Sequence, residues 1–169
     1  MSNHAATCPF VNFLFFPRPG ARSQEAKARI ESTLASGKHI VCDRYAFSGV
    51  AFSGAKDGLD VEWCAAPDRG LPAPDLVVYL DLAIEAAMER GAFGEERYEK
   101  EGFQRKVQTN FRALMAREAG ESGATPWHVV DAAQSMDAVT AEIHSRALEA
   151  VEAAKHEPLR KLWVKAGDV

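Results

Sequence analysis

His39-Ile40-Val41-Cys42-Asp43-Arg44-Tyr45 starts as an apolar run and stops on a charged pair. A short apolar run closed by an acid predicts a parallel strand buried on both faces over residues 39–42. Two further runs have the same form. Leu76-Val77-Val78-Tyr79-Leu80 is opened by Pro74-Asp75 and closed by Asp81, and Trp127-His128-Val129-Val130 ends in Asp131. Helical spacing fills the intervals. Ala26, Ile30 and Leu34 recur every fourth residue, with Gly37 where a C-cap would stand, so a helix is expected over 23–36. A short helix is expected over 46–55, and one helical turn around Val61–Ala65 within an irregular stretch, 56–74. Ile84 through Met88 to Arg90 then has helical spacing, and Phe103, Val107, Phe111 and Leu114 form one face of a longer helix. In the last helix Ser135 stands as N-cap, and Met136, Val139, Ile143, Ala147 and Val151 line one side. Strands that alternate with helices describe an α/β fold with an open parallel sheet. Ligands in such sheets bind beyond the carboxyl ends of the strands, which puts Asp43-Arg44, Asp81 and Asp131 at the expected site.

With 169 residues the chain is one domain, long enough to bury a core. Apolar residues make up 47% and charged residues 26%, which excludes a disordered chain. Lys and Arg number 20 against 24 Asp and Glu, a net charge of −4, and this argues against a surface built to grip nucleic acid. No run approaches the ~18 apolar residues of a membrane span. The cluster from Pro9 to Pro17 is interrupted by Asn12, has no preceding Lys or Arg, and leads into Pro17-Arg18-Pro19-Gly20, so it does not read as a signal peptide. Cys8, Cys42 and Cys64 have no ligand-like spacing, and reduced thiols in a cytoplasmic or nuclear protein are expected.

Arg44, just past a strand, offers a planar, permanently charged fork suited to phosphate, and Asp43 beside it could help hold a metal ion. The same pair could simply tie a strand end to its neighbour. Phe47 and Phe52 suit either the core or the stacking of a base. Arg90-Gly91-Ala92-Phe93-Gly94-Glu95-Glu96-Arg97-Tyr98-Glu99, with its two glycines between helices, reads as a cover over a site or as a solvated loop. Spacing leaves Gln104 facing either ligand or solvent.

Taken together, these stretches resemble thymidylate kinases of the eukaryotic type. The resemblance rests on Asp43-Arg44-Tyr45-Ala46-Phe47-Ser48-Gly49-Val50-Ala51-Phe52-Ser53, Trp63-Cys64, Pro67-Asp68, Gly70-Leu71-Pro72 and Pro74-Asp75-Leu76. It continues through Arg90-Gly91-Ala92-Phe93-Gly94, Glu96-Arg97-Tyr98-Glu99, Phe103-Gln104, Val130-Asp131-Ala132, Pro158-Leu159 and Leu162-Trp163, in order from about Gln24 to the C-terminus. The resemblance implies transfer of the γ-phosphoryl of ATP to dTMP with Mg²⁺, on a P-loop-type α/β fold that pairs as a homodimer. By motif, Asp43 and Arg44 would be the catalytic pair, Asp43 serving the metal indirectly and Arg44 gripping the dTMP phosphate. Phe52, Tyr98 and Gln104 would bind dTMP, and Arg90 and Arg97 would belong to the ATP lid, about residues 90–104, with Arg90 close to adenine.

The 169 residues contain no Gly-x-x-x-x-Gly-Lys-Ser/Thr, the loop whose amides cradle ATP phosphates. In the family that loop, its strand and its helix precede the matched region. Phe16-Pro17-Arg18 lacks the Asp of the family's Phe-Pro-Asp-Arg motif, and Ala92-Phe93-Gly94 supplies no basic substitute for a transition-state Arg. The expectation is therefore an incomplete P-loop-kinase-like parallel sheet with flanking helices, in which the strands at 39–42 and 76–80 each expose an unpaired edge. Residues 1–23 are expected to be an unrelated or disordered segment joined to a kinase-like body, 24–169, with impaired activity. Residues 10–16 could alternatively slide into the central slot as a substitute strand. A deoxynucleoside kinase, or a non-catalytic fragment that binds nucleotide or dimerises, are the other readings of the same residues.

Overall fold

A computed structural model of the chain describes residues 11–15, 23–90, 101–120 and 125–164. Strand β1, Val11–Phe15, leads through helix α1, Ser23–Ala35, to strand β2, His39–Asp43. Helices α2, Ala46–Gly54, and α3, Val61–Ala65, follow, with a 3₁₀ turn over Ala66–Asp68. Strand β3, Val77–Asp81, then passes through helices α4, Ile84–Glu89, and α5, Glu101–Gly120, to strand β4, Trp127–Asp131. Helix α6, Met136–Ala154, comes last. Its start is the expected one, since the Ser135 hydroxyl accepts from the Ala138 amide at 3.3 Å. Gly37 holds φ +75 just past α1, the left-handed turn that ends a helix at little cost only for glycine.

The fold is α/β with parallel strands and flanking helices. Its sheet is divided. β1 pairs with β2 in parallel, Val11 opposite His39, and β3 pairs with β4, Val77 opposite Trp127, while β2 and β3 are not hydrogen-bonded neighbours. Each pair is a βαβ unit with a two-stranded ribbon, and each ribbon strand has one edge without a strand partner among the described residues. β1 lies within the segment 1–23 and, among the described residues, pairs with β2 alone.

One expectation needs correction here. The strands are not buried on both faces, because Val41 is 48% exposed, Leu80 51% and Val129 44%. A two-stranded ribbon presents too narrow a surface for its helices to cover every inward residue. The apolar stripe of α6 lies on one side of the helix but is not covered from end to end. No α6 residue is buried, and Met136 is 80% exposed. A 19-residue helix is about 28 Å long, well beyond the five-residue strands beneath it.

The core is centred on α2 rather than on the sheet. Ala46, Phe47, Val50 and Ala51 of α2 are buried against Val107 and Leu114 of α5, with Ala55, Ala65, Leu71, Ala73 and Leu162 completing the cluster. Small residues let these helices approach closely. A Cβ on Gly54 would come within 3.0 Å of Val61 Cγ2 and 3.4 Å of Asn110 Nδ2, and Asn110 donates to the Ala51 carbonyl at 3.0 Å. The Phe47 ring meets Trp127 at 4.9 Å and Trp163 at 5.3 Å, both edge-on.

Residues 160–163 form a strap over Gly70-Leu71-Pro72-Ala73. Leu162 N donates to the Leu71 carbonyl at 2.8 Å, Gly70 N to the Leu162 carbonyl at 2.9 Å, and Ala73 N to the Arg160 carbonyl at 2.9 Å. Buried Glu118 of α5 anchors the strap, accepting from Trp163 Nε1 at 3.0 Å and the Thr125 amide at 3.1 Å. Two bonds to a buried carboxylate satisfy a group that would otherwise be costly to desolvate. Among the described residues no helix is long and apolar enough to cross a membrane.

Candidate functional site

The carboxyl end of β2 runs into the most unusual backbone of the site. Arg44 has φ +63, a left-handed conformation that costs a non-glycine residue about 1–2 kcal/mol and that clusters at functional positions. Its neighbours fix the side chain. Arg44 Nε donates to Ser48 Oγ at 3.3 Å, and its guanidinium carbon sits 4.5 Å from the centroid of the Phe52 ring. Cation and ring face attract each other, while the outer guanidinium N–H groups stay exposed for a ligand.

Helix α2 begins at Ala46, with Tyr45 as the N-cap residue between it and Arg44. No side chain caps it, and its first turn carries no acid. Its amino-terminal N–H groups and positive dipole end therefore add to the Arg44 charge, a combination suited to an anion such as phosphate. Asp43 is exposed at the end of β2. The Cys42 thiol, pushed up to about 11 by burial and then by the Asp43 carboxylate, is no nucleophile at neutral pH. Alkylation of Cys42 by iodoacetamide, followed by mass spectrometry, should therefore rise about tenfold per pH unit above neutrality and level off only near pH 11. A plateau near pH 8 would contradict this environment.

Phe52 also lines a cleft of about 180 Å³ with Tyr79, Leu82, Gln104, Gln108 and Phe111. Aromatic faces and two amides make a surface that can stack a flat ring and hydrogen-bond its edge. Gln108 Nε2 donates to Asp81 Oδ1 at 3.2 Å, so the amide nearest the end of β3 is held in place by a strand-end acid. A larger depression of about 280 Å³, lined by Gly54, Arg105, Lys106, Thr109 and Asn110, lies on the α2–α5 seam. Its cations are engaged, Arg105 with Glu85 and Glu101 and Lys106 with Asp57, so it does not form a charged site.

Arg90 lies at the carboxyl ends of β3 and β4. Its Nη2 donates to the Ala132 carbonyl at 2.8 Å, and Ala132 N donates to the Asp81 carbonyl at 2.9 Å. The Asp131 carboxylate accepts from the Ala133 amide at 2.8 Å and so shapes the loop after β4.

The structure thus links Arg44, Phe52 and Gln104 through one ring and one cleft, puts Asp43 beside them, and puts Arg90 at the other strand ends. Arg97 and Tyr98, with the rest of the expected lid over 91–100, lie outside the described residues. Ser48, Gln108 and Phe111 were not foreseen as site residues. Gln104, Gln108 and Phe111 fall at i, i+4 and i+7, a helical face next to the apolar stripe, and that spacing was the available signal.

Comparison with known proteins follows this geometry. The family model for thymidylate kinase matches residues 11–143. The chain is 44% identical over 153 residues to the thymidylate kinase of Homo sapiens, covering 90% of this chain and 68% of that protein. It is 42% identical over 144 residues to that of Arabidopsis thaliana, covering 85% of this chain and 51% of that protein. To that of Schizosaccharomyces pombe it is 47% identical over 124 residues, covering 73% and 56%. The chain thus spans between half and about two thirds of these relatives' length. Among solved structures, thymidylate kinase from Candida albicans superposes with a TM-score of 0.68 at 23% identity, covering 91% of this chain and 86% of that one, a likeness of fold.

Proposed function

Because this chain belongs to the thymidylate kinase family, we propose that its described residues form the acceptor side of a dTMP kinase, which converts ATP and dTMP to ADP and dTDP. The observation that carries the proposal is the Arg44 guanidinium, held 4.5 Å over Phe52 at the edge of the cleft that also holds Gln104. A phosphate bound by Arg44 and the start of α2 leaves a nucleoside room to extend along Phe52 into that cleft. Gln104 would then meet the sugar or base, with Tyr98 covering the deoxyribose.

In the transfer, an oxygen of the dTMP phosphate bonds to the γ-phosphorus of ATP as the bond to the β-bridging oxygen breaks and ADP leaves. Such transfers depend on positioning and on neutralising the charge of the moving group. Arg44 fixes and partly neutralises the acceptor, while Arg90 and Arg97 serve the ATP side. Mg²⁺ takes one or two carboxylates plus waters and substrate oxygens, a demand that the exposed Asp43 carboxylate at the end of β2 suits. Asp43 is the carboxylate that would serve it, and the ion would add positive charge at the transferred group.

The 169 residues taken alone carry no Gly-x-x-x-x-Gly-Lys-Ser/Thr, so their turnover is impaired more than their acceptor binding. Loss of a transition-state Arg alone lowers related transfers about 10³–10⁵-fold. The family resemblance also supports a homodimer acting on free nucleotides in the cytoplasm or nucleus.

The test is equilibrium binding of dTMP and thymidine to the purified chain, with dTDP formation from ATP followed in parallel. The expected result is dTMP held at least about tenfold tighter than thymidine, with dTDP formed very slowly. Equal affinity for the two, or phosphorylation of thymidine itself, would overturn the proposal.

A further inference from the structure

Residue 44 is a charged side chain on a left-handed backbone, a conformation that persists only where its surroundings impose it. Its own side-chain contacts, Ser48 Oγ and the Phe52 ring, are both exposed or half-buried. The firmer attachment is one residue on. Tyr45 is half-buried, and its hydroxyl donates to the Pro72 carbonyl at 2.9 Å across 27 residues of sequence. Pro72 is buried, forms an isolated antiparallel bridge with Lys161, and lies between Leu71 and Ala73, whose backbones bond to Leu162 and Arg160 of the strap. Leu162 is only 1% exposed and sits in the core beside Phe47.

From the core to Arg44 the connections are therefore continuous: buried Leu162, the strap, the Leu71-Pro72-Ala73 backbone, the Tyr45 hydroxyl, then the Arg44 backbone. Tyr45 is also the residue before α2, and its carbonyl accepts from the Ser48 amide at 3.0 Å and the Gly49 amide at 3.4 Å. One residue thus sets both the direction in which Arg44 leaves the strand and the position of the α2 amino end. We propose that Tyr45 is the positioning residue of the phosphate site, its hydroxyl transmitting the rigidity of the C-terminal strap to Arg44. This rests on the reading of Arg44 as the acceptor-phosphate residue.

Burial, followed by the charges of Cys42 and Asp68, holds the Tyr45 phenol well above its ordinary range, so it remains a donor at any working pH. Loss of the hydroxyl leaves the Pro72 carbonyl without this donor and frees the Arg44–Tyr45 peptide to relax toward right-handed backbone. The guanidinium would then swing off Phe52.

Two readouts on Tyr45→Phe test this. The first needs no nucleotide: the Arg44 Nε–H resonance, assigned with Arg44→Lys, is displaced by the Phe52 ring current in the parent chain and should lose at least half of that displacement. The second is the preference for dTMP over thymidine, which should fall roughly tenfold while thymidine affinity holds. A 4-aminophenylalanine at position 45 restores a donor and should recover both. An unmoved Arg44 signal overturns the inference, and so does a moved signal with unchanged preference, or dTMP and thymidine affinities falling together. If the parent chain shows no preference for dTMP while the Arg44 signal moves in Tyr45→Phe, positioning by Tyr45 stands and the acceptor reading falls.

Discussion

Phe47→Ala should lower the midpoint of thermal unfolding by roughly 6–20 °C. Phe47 is 3% exposed and touches Trp127 from β4 and Trp163 from the strap, so its ring joins the two. Truncating a buried phenylalanine costs about 3–5 kcal/mol, from lost transfer free energy plus the cavity left behind. For a chain of this size each kcal/mol moves the midpoint about 2–4 °C. The divided sheet makes the loss worse, because β2 and β3 share no hydrogen bonds that could keep the two βαβ units together once the α2 core loosens. Circular dichroism at 222 nm reports the midpoint, and near-ultraviolet dichroism reports the asymmetry of the two tryptophans. Phe47→Leu retains most of the volume and should recover more than half of the loss. A shift of only one or two degrees for Phe47→Ala would mean that α2 is not the centre of the core.

Arg44→Ala should weaken dTMP binding by about 10–150-fold and change thymidine binding by less than about twofold. A hydrogen bond to a charged partner is worth about 1.5–3 kcal/mol, and only dTMP carries the phosphate that receives it. Arg44→Lys keeps the charge and loses the fork, so it should fall between parent and Ala. Arg44→Gly separates binding from strain. It should lose dTMP as fully as Ala does, yet be more stable than Ala by about 0.5–1 kcal/mol, since glycine accepts φ +63 without penalty. Isothermal titration gives the affinities and denaturant titration the stabilities. Equal loss of dTMP and thymidine in Arg44→Ala would remove the phosphate from its assigned place.

Both predictions depend on features that differ in how far the amino-acid order reveals them. The α2 segment Ala46-Phe47-Ser48-Gly49-Val50-Ala51-Phe52 is visibly helical and apolar, but whether Phe47 or Phe52 faces the core is not. Packing decides it: Phe47 turns toward Trp127 and Trp163, and Phe52 lies half-buried at the edge of the core, against Phe103 and Phe111 and beneath Arg44. Position 44 is likewise evident as a basic residue past a strand. Its left-handed backbone is not, because no glycine or asparagine marks it. The unpaired edges of the strands at 39–42 and 76–80 are expected from the sequence. The exposure of Val41, Leu80 and Val129 that accompanies them is not.

The amino-acid order alone determined the helices, the strands at β2, β3 and β4 and the acids at their ends, and with them the family; the pairing of β1 with β2 came from the structure. The local elements depend on spacing within a turn or two of chain, where each residue's preference acts on its near neighbours. Only the tertiary structure decided that Tyr45 reaches Pro72, that Gln108 reaches Asp81 and that Glu118 holds Trp163, contacts spanning 27, 27 and 45 residues. Such partners are chosen by how buried surfaces close on one another, and no local preference encodes that choice.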